Sequence, residues 1–315
     1  MIIEKFTKYG QDDLVGKKYF VSHNNAKKNF YLILVLLFTV IPAFSVAQSE
    51  YTASAITGSP ISDTLRATSN IDTFRVFTYN IKHGRGLDGQ VDIRRIADLI
   101  KEKDPHLVTL QEVDIDVDRS GNINIMKVLS GYLGMEPIFY KNISHEGGEY
   151  GNGILTNLPL LSKKNLHFIQ PRDEEQRGLL KTEVDFNGVI ITLMTTHLDN
   201  RVEENRLNGV AQIIESKRAY RGTPVIVTGD FNDIPGSDMH DQMKEYFTDV
   251  WEEVGVGNGY TIPPINPDRR IDYFFYTNNL LEEAKPRIKA VHMEVIESEA
   301  SDHLAIYAEF IVIPK

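Results

Sequence analysis

Val225-Ile226-Val227-Thr228-Gly229-Asp230-Phe231-Asn232 opens as an unbroken apolar run and closes on a carboxylate and an amide. Such a run, with no alternation, reads as a short strand buried on both faces. Gly229 ends it, and Asp230 and Asn232 flank the apolar Phe231. An Asx turn explains one polar residue at a strand end, but not easily both. About 70 residues downstream, Ser301-Asp302-His303 stands directly before a second apolar run, 304–313. Short carboxylate, amide and imidazole groups at two strand ends suit a divalent cation, a water and a phosphoryl group better than they suit a core.

Around that strand, helical and extended patterns alternate. Residues 74–79 read as a strand. Residues 91–103 read as an amphipathic helix with Asp92 placed to cap it and Ile93, Ile96, Ala97 and Ile100 on one face. Asp104-Pro105 breaks that helix ahead of a short strand at 107–110. Residues 123–133 read as a helix ended by Gly134. Extended character then dominates at 138–141, 153–156, 160–168, 179–185 and 189–196, with Asn187-Gly188 as a hairpin signal between the last two. Helices are expected at 203–218 and 237–246, and late strands at 271–276 and 304–313. Mixed strands with few helices predict two sheets packed face to face with helices outside.

The 315 residues, 42% hydrophobic, can bury a large core. Acidic side chains outnumber basic ones, 44 to 34, for a net charge of −10. That balance argues against a protein that coats nucleic acid through many phosphate contacts. It leaves room for a local positive site built on a metal ion. Cysteine is absent, which excludes disulfides, zinc thiolates and a thiol nucleophile. Lys27 and Lys28 precede an apolar run, 30–44, and then Ser45-Val46-Ala47, a small-x-small cleavage pattern. Residues 1–47 are therefore expected to be an export signal to the periplasm or the outside. An uncleaved membrane anchor on 30–44 is the competing reading, although the run is short for a span and holds Pro42. Residues 48–70, rich in Ser, Thr and Ala, read as a linker, and residues 71–315 as one catalytic domain.

Six polar positions recur at or just past strand ends: Asn80, Glu112, His197, Asp230 with Asn232, Asp272, and Asp302 with His303. Each has a bland reading when taken alone. Asn80 could start a turn, Glu112 could be a solvated edge carboxylate, and His197 a hydrogen-bonded core histidine. Asp272 differs, because Ile271-Asp272-Tyr273-Phe274-Phe275 places a charge inside an apolar strand, where an unpaired carboxylate costs several kcal/mol. His303 is its natural partner. Together the set offers hard oxygen ligands, neutral amides and imidazoles, and no sulfur, the donor set that magnesium or manganese takes.

In order along the chain, Phe77-Thr78-Tyr79-Asn80, Leu110-Gln111-Glu112-Val113, Gly151-Asn152-Gly153-Ile154-Leu155, Thr196-His197-Leu198, Gly229-Asp230-Phe231-Asn232, Arg270-Ile271-Asp272-Tyr273 and Ser301-Asp302-His303 form seven blocks. Together they resemble the endonuclease/exonuclease/phosphatase superfamily of metal-dependent phosphohydrolases, and within it the compact bacterial exported branch. The resemblance implies an α/β four-layer sandwich, two packed mixed β-sheets flanked by helices. It also implies Mg²⁺, or Mn²⁺, as cofactor. Glu112 would bind the metal with Asn80 and Asp302 close by. Asp230 would orient or deprotonate the attacking water, and Asn232 and His197 would hold phosphoryl oxygens. Asp272 would pair with His303, and either Asp230 or His303 could be the base.

Outside those blocks, Arg119-Ser120-Gly121, the segment 145–150 with His145, and Arg177 are expected to line a substrate pocket or to be plain surface loops. Asp199 is a weaker pocket candidate, Lys163-Lys164 a solvated pair, and 260–264 a loop over the site. The expected activity is hydrolysis of a small or lipid phosphoester, by a phosphodiesterase or phosphatase. A secreted nuclease is less favoured by the charge. A sphingomyelinase-like lipid phosphodiesterase would want exposed aromatics, and Trp251 is the one tryptophan. A noncatalytic binding module is disfavoured because every reacting position is filled. Nothing in the sequence implies a stable protein partner.

Overall fold

The structure, a computed structural model, describes residues 73–220, 222–277 and 287–313, all within one compact unit. The expected signal or anchor at 1–47 and the linker at 48–70 lie outside the described residues. In chain order the first elements are β1 (Thr73–Asn80), α1 (Ile93–Lys103), β2 (Leu107–Ile115), α2 (Ile125–Leu133), β3 (Glu136–His145) and β4 (Gly148–Thr156). β5 (Leu160–His167), β6 (Gly178–Phe186), β7 (Val189–His197), α3 (Glu203–Arg218), β8 (Val225–Asp230) and α4 (Asp238–Lys244) follow. β9 (Thr248–Asp249), α5 (Val250–Val254), β10 (Asp272–Tyr276), β11 (Arg287–Ile296) and β12 (Ala305–Ile313) complete the set.

The strands make two six-stranded sheets, ordered β11-β12-β1-β2-β4-β3 and β5-β6-β7-β8-β10-β9. One core lies between them, where Phe74, Val76 and Ile306 of the first meet Leu193, Ile226 and Phe274 of the second. The outer face of the first sheet packs Phe77, Val108 and Leu110 under Ile96 and Ile100 of α1 and Leu129 of α2. The outer face of the second packs Met194, Val227 and Phe275 under Ile213 of α3 and Met239 of α4. The result is the four-layer α/β sandwich. Burial on both faces is why the central strands read as unbroken apolar runs.

Each sheet is built on one parallel pair joined through an outer helix, β1-α1-β2 and β7-α3-β8. The registers set the polar ends side by side. Asn80 lies opposite Gln111, His197 opposite Asp230, and Asp230 opposite Asp272 on antiparallel β10. Gly229 permits the close β7–β8 approach that sets His197 beside Asp230. Its φ is +134°, and a Cβ there would lie 1.9 Å from the Thr196 carbonyl oxygen of β7. Only glycine tolerates both.

Local chemistry accounts for most boundaries. Asp92 caps α1 by accepting from the Arg94 N–H, Asn124 caps α2 from Lys127, and Ser237 caps α4 from His240. Gly134 ends α2 in the left-handed region. Two expectations change. β2 does not stop at 110 but continues to Ile115, with a bulge between Leu110 and Val113. The expected loop at 145–150 is mostly strand, since β3 and β4 form a hairpin that turns at Glu146-Gly147, both with positive φ. β11 escaped the sequence reading because a bulge between Ala290 and His292 breaks its alternation.

Candidate active site

The ends of the two parallel pairs converge on Asp230. Its Oδ1 accepts the Asn232 backbone N–H at 2.9 Å, and its Oδ2 accepts Asn80 Nδ2 from the other sheet at 3.0 Å. Two imidazoles face the same Oδ2, His197 Nε2 at 3.5 Å and His303 Nε2 at 3.7 Å. Burial pushes the Asp230 carboxyl well above the usual carboxylate range; the neighbouring Asp272 adds to this, while His303 and the Asn80 hydrogen bond oppose it.

His303 is held from behind. Its Nδ1 lies 2.9 Å from Asp272 Oδ2, both groups being buried. Burial alone would lower the imidazole, but the Asp272 and Asp230 charges and the Asp272 hydrogen bond outweigh it and raise its pKa to about 10. The pairing expected from the lone charge in β10 is thus present. Thr261 fastens both members: its hydroxyl accepts the Ile271 N–H, and its carbonyl accepts the Leu304 N–H. The 260–264 segment accordingly braces the residues beside Asp272 and His303.

His197 takes the opposite state. Burial first, then the Arg177 and His303 charges, drive its pKa well below the ordinary histidine value. Arg177 Nη1 lies 3.0 Å from its Nδ1. An arginine only donates, so Nδ1 accepts and the single proton sits on Nε2, facing Asp230. Arg177, 6% exposed, also meets Glu175 at 3.0 Å and leaves its Nε without a partner among the described residues. Asn152 Nδ2 is another buried donor without a partner among the described residues.

Glu112 sits at the β2 bulge with φ +58°. Gln111 faces the inter-sheet interior and donates to Thr78 and Thr195. Val113 faces the outer helices. The left-handed residue between them turns Glu112 away from both faces to the sheet end, as bulges beside active sites do. There Asn80 Nδ2 donates to its Oε1 at 3.1 Å. Burial raises its pKa, against the Asn80 hydrogen bond and the His303 charge. Among the described residues only that neutral amide donates to Glu112. A half-buried carboxylate with spare oxygens beside an amide carbonyl fits a hard divalent cation.

Asp302 is placed otherwise. Lys82 Nζ reaches its Oδ2 at 2.6 Å, and Ser301 Oγ, which donates to the Asn80 carbonyl at 2.7 Å, lies 3.4 Å from its Oδ1. Lys82 escaped the sequence reading; its position two residues past Asn80 was the available signal. Gln111 and the Thr109–Thr228 hydroxyl pair, 2.8 Å apart across the sheets, escaped it too.

The expected pocket residues divide. Arg177 belongs to the site. Arg119 forks onto buried Asp114 at 2.8 and 2.9 Å and lies over the Tyr150 ring, so its donors are largely occupied. His145 ends β3 and meets Glu146 at 3.6 Å, a hairpin-tip contact. Asp199 is no pocket residue: it accepts the Arg201 and Val202 N–H groups and Asn205 Nδ2, which fixes the start of α3. Lys163 and Lys164 lie exposed on edge strand β5. Trp251 is buried, its Nε1 donating to the Gly257 carbonyl. Among the described residues no helix is long and apolar enough to cross a membrane. A second cluster, His240, Asp249 and Glu252, is already internally compensated. Asp249 accepts His240 Nε2 at 2.9 Å and Arg270 Nη1 at 2.8 Å, and this locks the approach to β10.

The model of the Endonuclease/Exonuclease/phosphatase family matches residues 77–303. The uncharacterised protein YbhP of Escherichia coli (strain K12) is 26% identical over 172 residues, 51% of this chain and 67% of YbhP. An endonuclease/exonuclease/phosphatase from Beutenbergia cavernae superposes with a TM-score of 0.61 at 24% identity, covering 76% of this chain and 72% of that one. The mannosyl-6-phosphatase Bt3783 of Bacteroides thetaiotaomicron gives 0.63 at 17% identity, over 76% and 99%. The human Nocturnin catalytic domain with bound sulfate gives 0.59 at 18%, over 76% and 94%.

Proposed function

Because the chain belongs to the endonuclease/exonuclease/phosphatase family, whose members hydrolyse phosphate esters, we propose that it is a divalent-cation-dependent phosphohydrolase of small phosphoesters. The observation that carries the reading is the convergence of Asn80, His197 and His303 on the single oxygen Asp230 Oδ2. Glu112 and Asn80 would hold the cation, Mg²⁺ or Mn²⁺, whose charge offsets that of the phosphoryl oxygens. Asp230, made more basic by burial, takes the proton of the attacking water, a contribution of roughly 10²–10⁴-fold. His303 is the poorer base, since it already carries its proton between Asp272 and Asp230; it serves as a positive donor. The Nε2–H of His197 and the Asn232 amide hold phosphoryl oxygens, and positioning with charge neutralisation supplies most of the acceleration.

A small substrate accords with the net charge of −10, which opposes a long polyanion, and with the buried Trp251, which offers no indole to a lipid surface. The mannosyl-6-phosphatase among the structural neighbours puts sugar phosphates first on a panel. Inositol phosphates, a bis-aryl phosphodiester, sphingomyelin, RNA and plasmid DNA complete it. The expected result is Mg²⁺-dependent cleavage of a small member, abolished by chelator. Glu112→Ala and His303→Ala should each lower kcat by at least ~10²-fold with an unchanged circular dichroism spectrum. Full activity in either variant would sink the assignment. Export by residues 1–47 is proposed from their sequence pattern alone, and the N-terminal mass of the secreted protein tests it.

A further inference from the structure

We propose that Lys82 supplies a fixed positive charge beside Asp302, so that this site holds one divalent ion, at Glu112 and Asn80, and not two. The inference rests on the metal-dependent phosphohydrolase reading above.

Lys82 is not a long side chain that happens to swing inward. Its backbone N–H donates to Asn80 Oδ1 at 3.1 Å, and the Nδ2 of that same amide reaches both Glu112 and Asp230. The turn at Lys82–Gly84 is therefore fastened to the centre of the site. Lys82 and His83 both take left-handed φ, +43° and +47°. Such values in consecutive non-glycine residues are sterically unfavourable and persist only when the surroundings enforce them. The outcome is an ammonium aimed at Asp302 Oδ2, 2.6 Å away, with Ser301 steadying the neighbouring residue through the Asn80 carbonyl.

The two carboxylates expected to share a cation are thus in different electrostatic states. Glu112 has a neutral amide as its hydrogen-bond partner, which leaves carboxylate oxygen positions open to an ion. Asp302 already has a cation. A divalent ion bound to Asp302 Oδ2 would sit about 2.1 Å from that oxygen, which places it within roughly 5 Å of the ammonium. A 2+ and a 1+ charge so close repel strongly in a partly desolvated cleft. The ammonium therefore takes the electrostatic place of a second metal. Both Lys82 and Asp302 keep more than a third of their side-chain surface exposed, so the remaining ammonium protons can reach a substrate oxygen.

Titration of the full chain with Mn²⁺, reading free ion by electron paramagnetic resonance, tests this without turnover. Wild type should bind one Mn²⁺ per chain, and Glu112→Ala should abolish it. Lys82→Met, which keeps the aliphatic stem, should bind two; Lys82→Met with Asp302→Asn should return to one, and Lys82→Arg should stay at one. Thermal melting of each variant checks that the fold is retained. One ion in both wild type and Lys82→Met, or two ions in wild type, overturns the inference alone. No binding by wild type overturns the metal-dependent reading and the inference with it.

Discussion

Asp272 does for His303 what Arg177 does for His197, with the opposite result. A buried carboxylate holds one imidazole protonated, while burial, helped by a neighbouring guanidinium, keeps the other neutral, although both rings face the same oxygen of Asp230. Environment alone assigns the two histidines their roles. The pH consequence has a definite sign. With its pKa raised from 6.5 to about 10, His303 adds stability that is fully present below pH 6.5 and is lost as pH rises through 10. If the charged ring is also the functional form, activity falls on that same alkaline limb. Asp272→Asn removes the larger of the two charges holding the proton, so the limb should move toward pH 6.5. At pH 8 the variant should then lose up to about 30-fold in kcat, with recovery near pH 6. A pH–rate profile, with the His303 ring followed by NMR, measures it. A limb that stays in place would remove Asp272 from the mechanism.

At the scale of the elements, apolar runs and caps were legible and bulges were not. Residues 225–228, 191–196 and 304–308 announce buried strands because each is covered on both faces, and Asp92, Ser237 and Gly134 mark helix ends by local hydrogen bonds. Every residue of the Asp230 cluster was nameable, since each sits where such a run ends. What the chain alone hides is where irregular backbone sends a side chain. Glu112 reads as a residue beyond a strand, yet β2 runs through it and a left-handed bulge aims it. Lys82 points inward for a comparable reason. Asp199 misleads the other way: two residues past His197 it resembles a pocket group, but its oxygens are taken by Arg201, Val202 and Asn205 at the start of α3. Asp199→Ala should therefore act as the loss of a local hydrogen-bonded turn, leaving the buried Asn205 amide short of a partner and lowering stability by about 1–3 kcal/mol with KM and kcat unchanged. Denaturant unfolding beside steady-state kinetics separates the two roles, and a raised KM at undiminished stability would return Asp199 to the pocket.

For the whole sandwich, the site exists only while the sheets stay packed. Asn80 and Glu112 come from one sheet, and His197, Asp230 and Asp272 from the other; the Thr109–Thr228 and Gln111–Thr195 hydrogen bonds stitch the two together close by. The sequence could name both partners of the Asn80–Asp230 contact but not their meeting, because a separation of 150 residues leaves no periodic trace. Loosening the inter-sheet core should therefore act on chemistry and stability as one event. Trp251, the single tryptophan, is buried in that core and reports on it directly. In urea, Trp251 fluorescence and activity should fall along one curve, as two-state unfolding requires. Phe274, fully buried in the same core, is remote enough in role to serve as the perturbation. Phe274→Ala leaves a cavity and should shift both curves together by about 3–5 kcal/mol, with kcat little changed at low denaturant. Activity lost well before the fluorescence change would mean that the rim opens on its own. The Asn80–Asp230 bridge would then be a local latch, held by its own hydrogen bonds rather than by the packing beneath it.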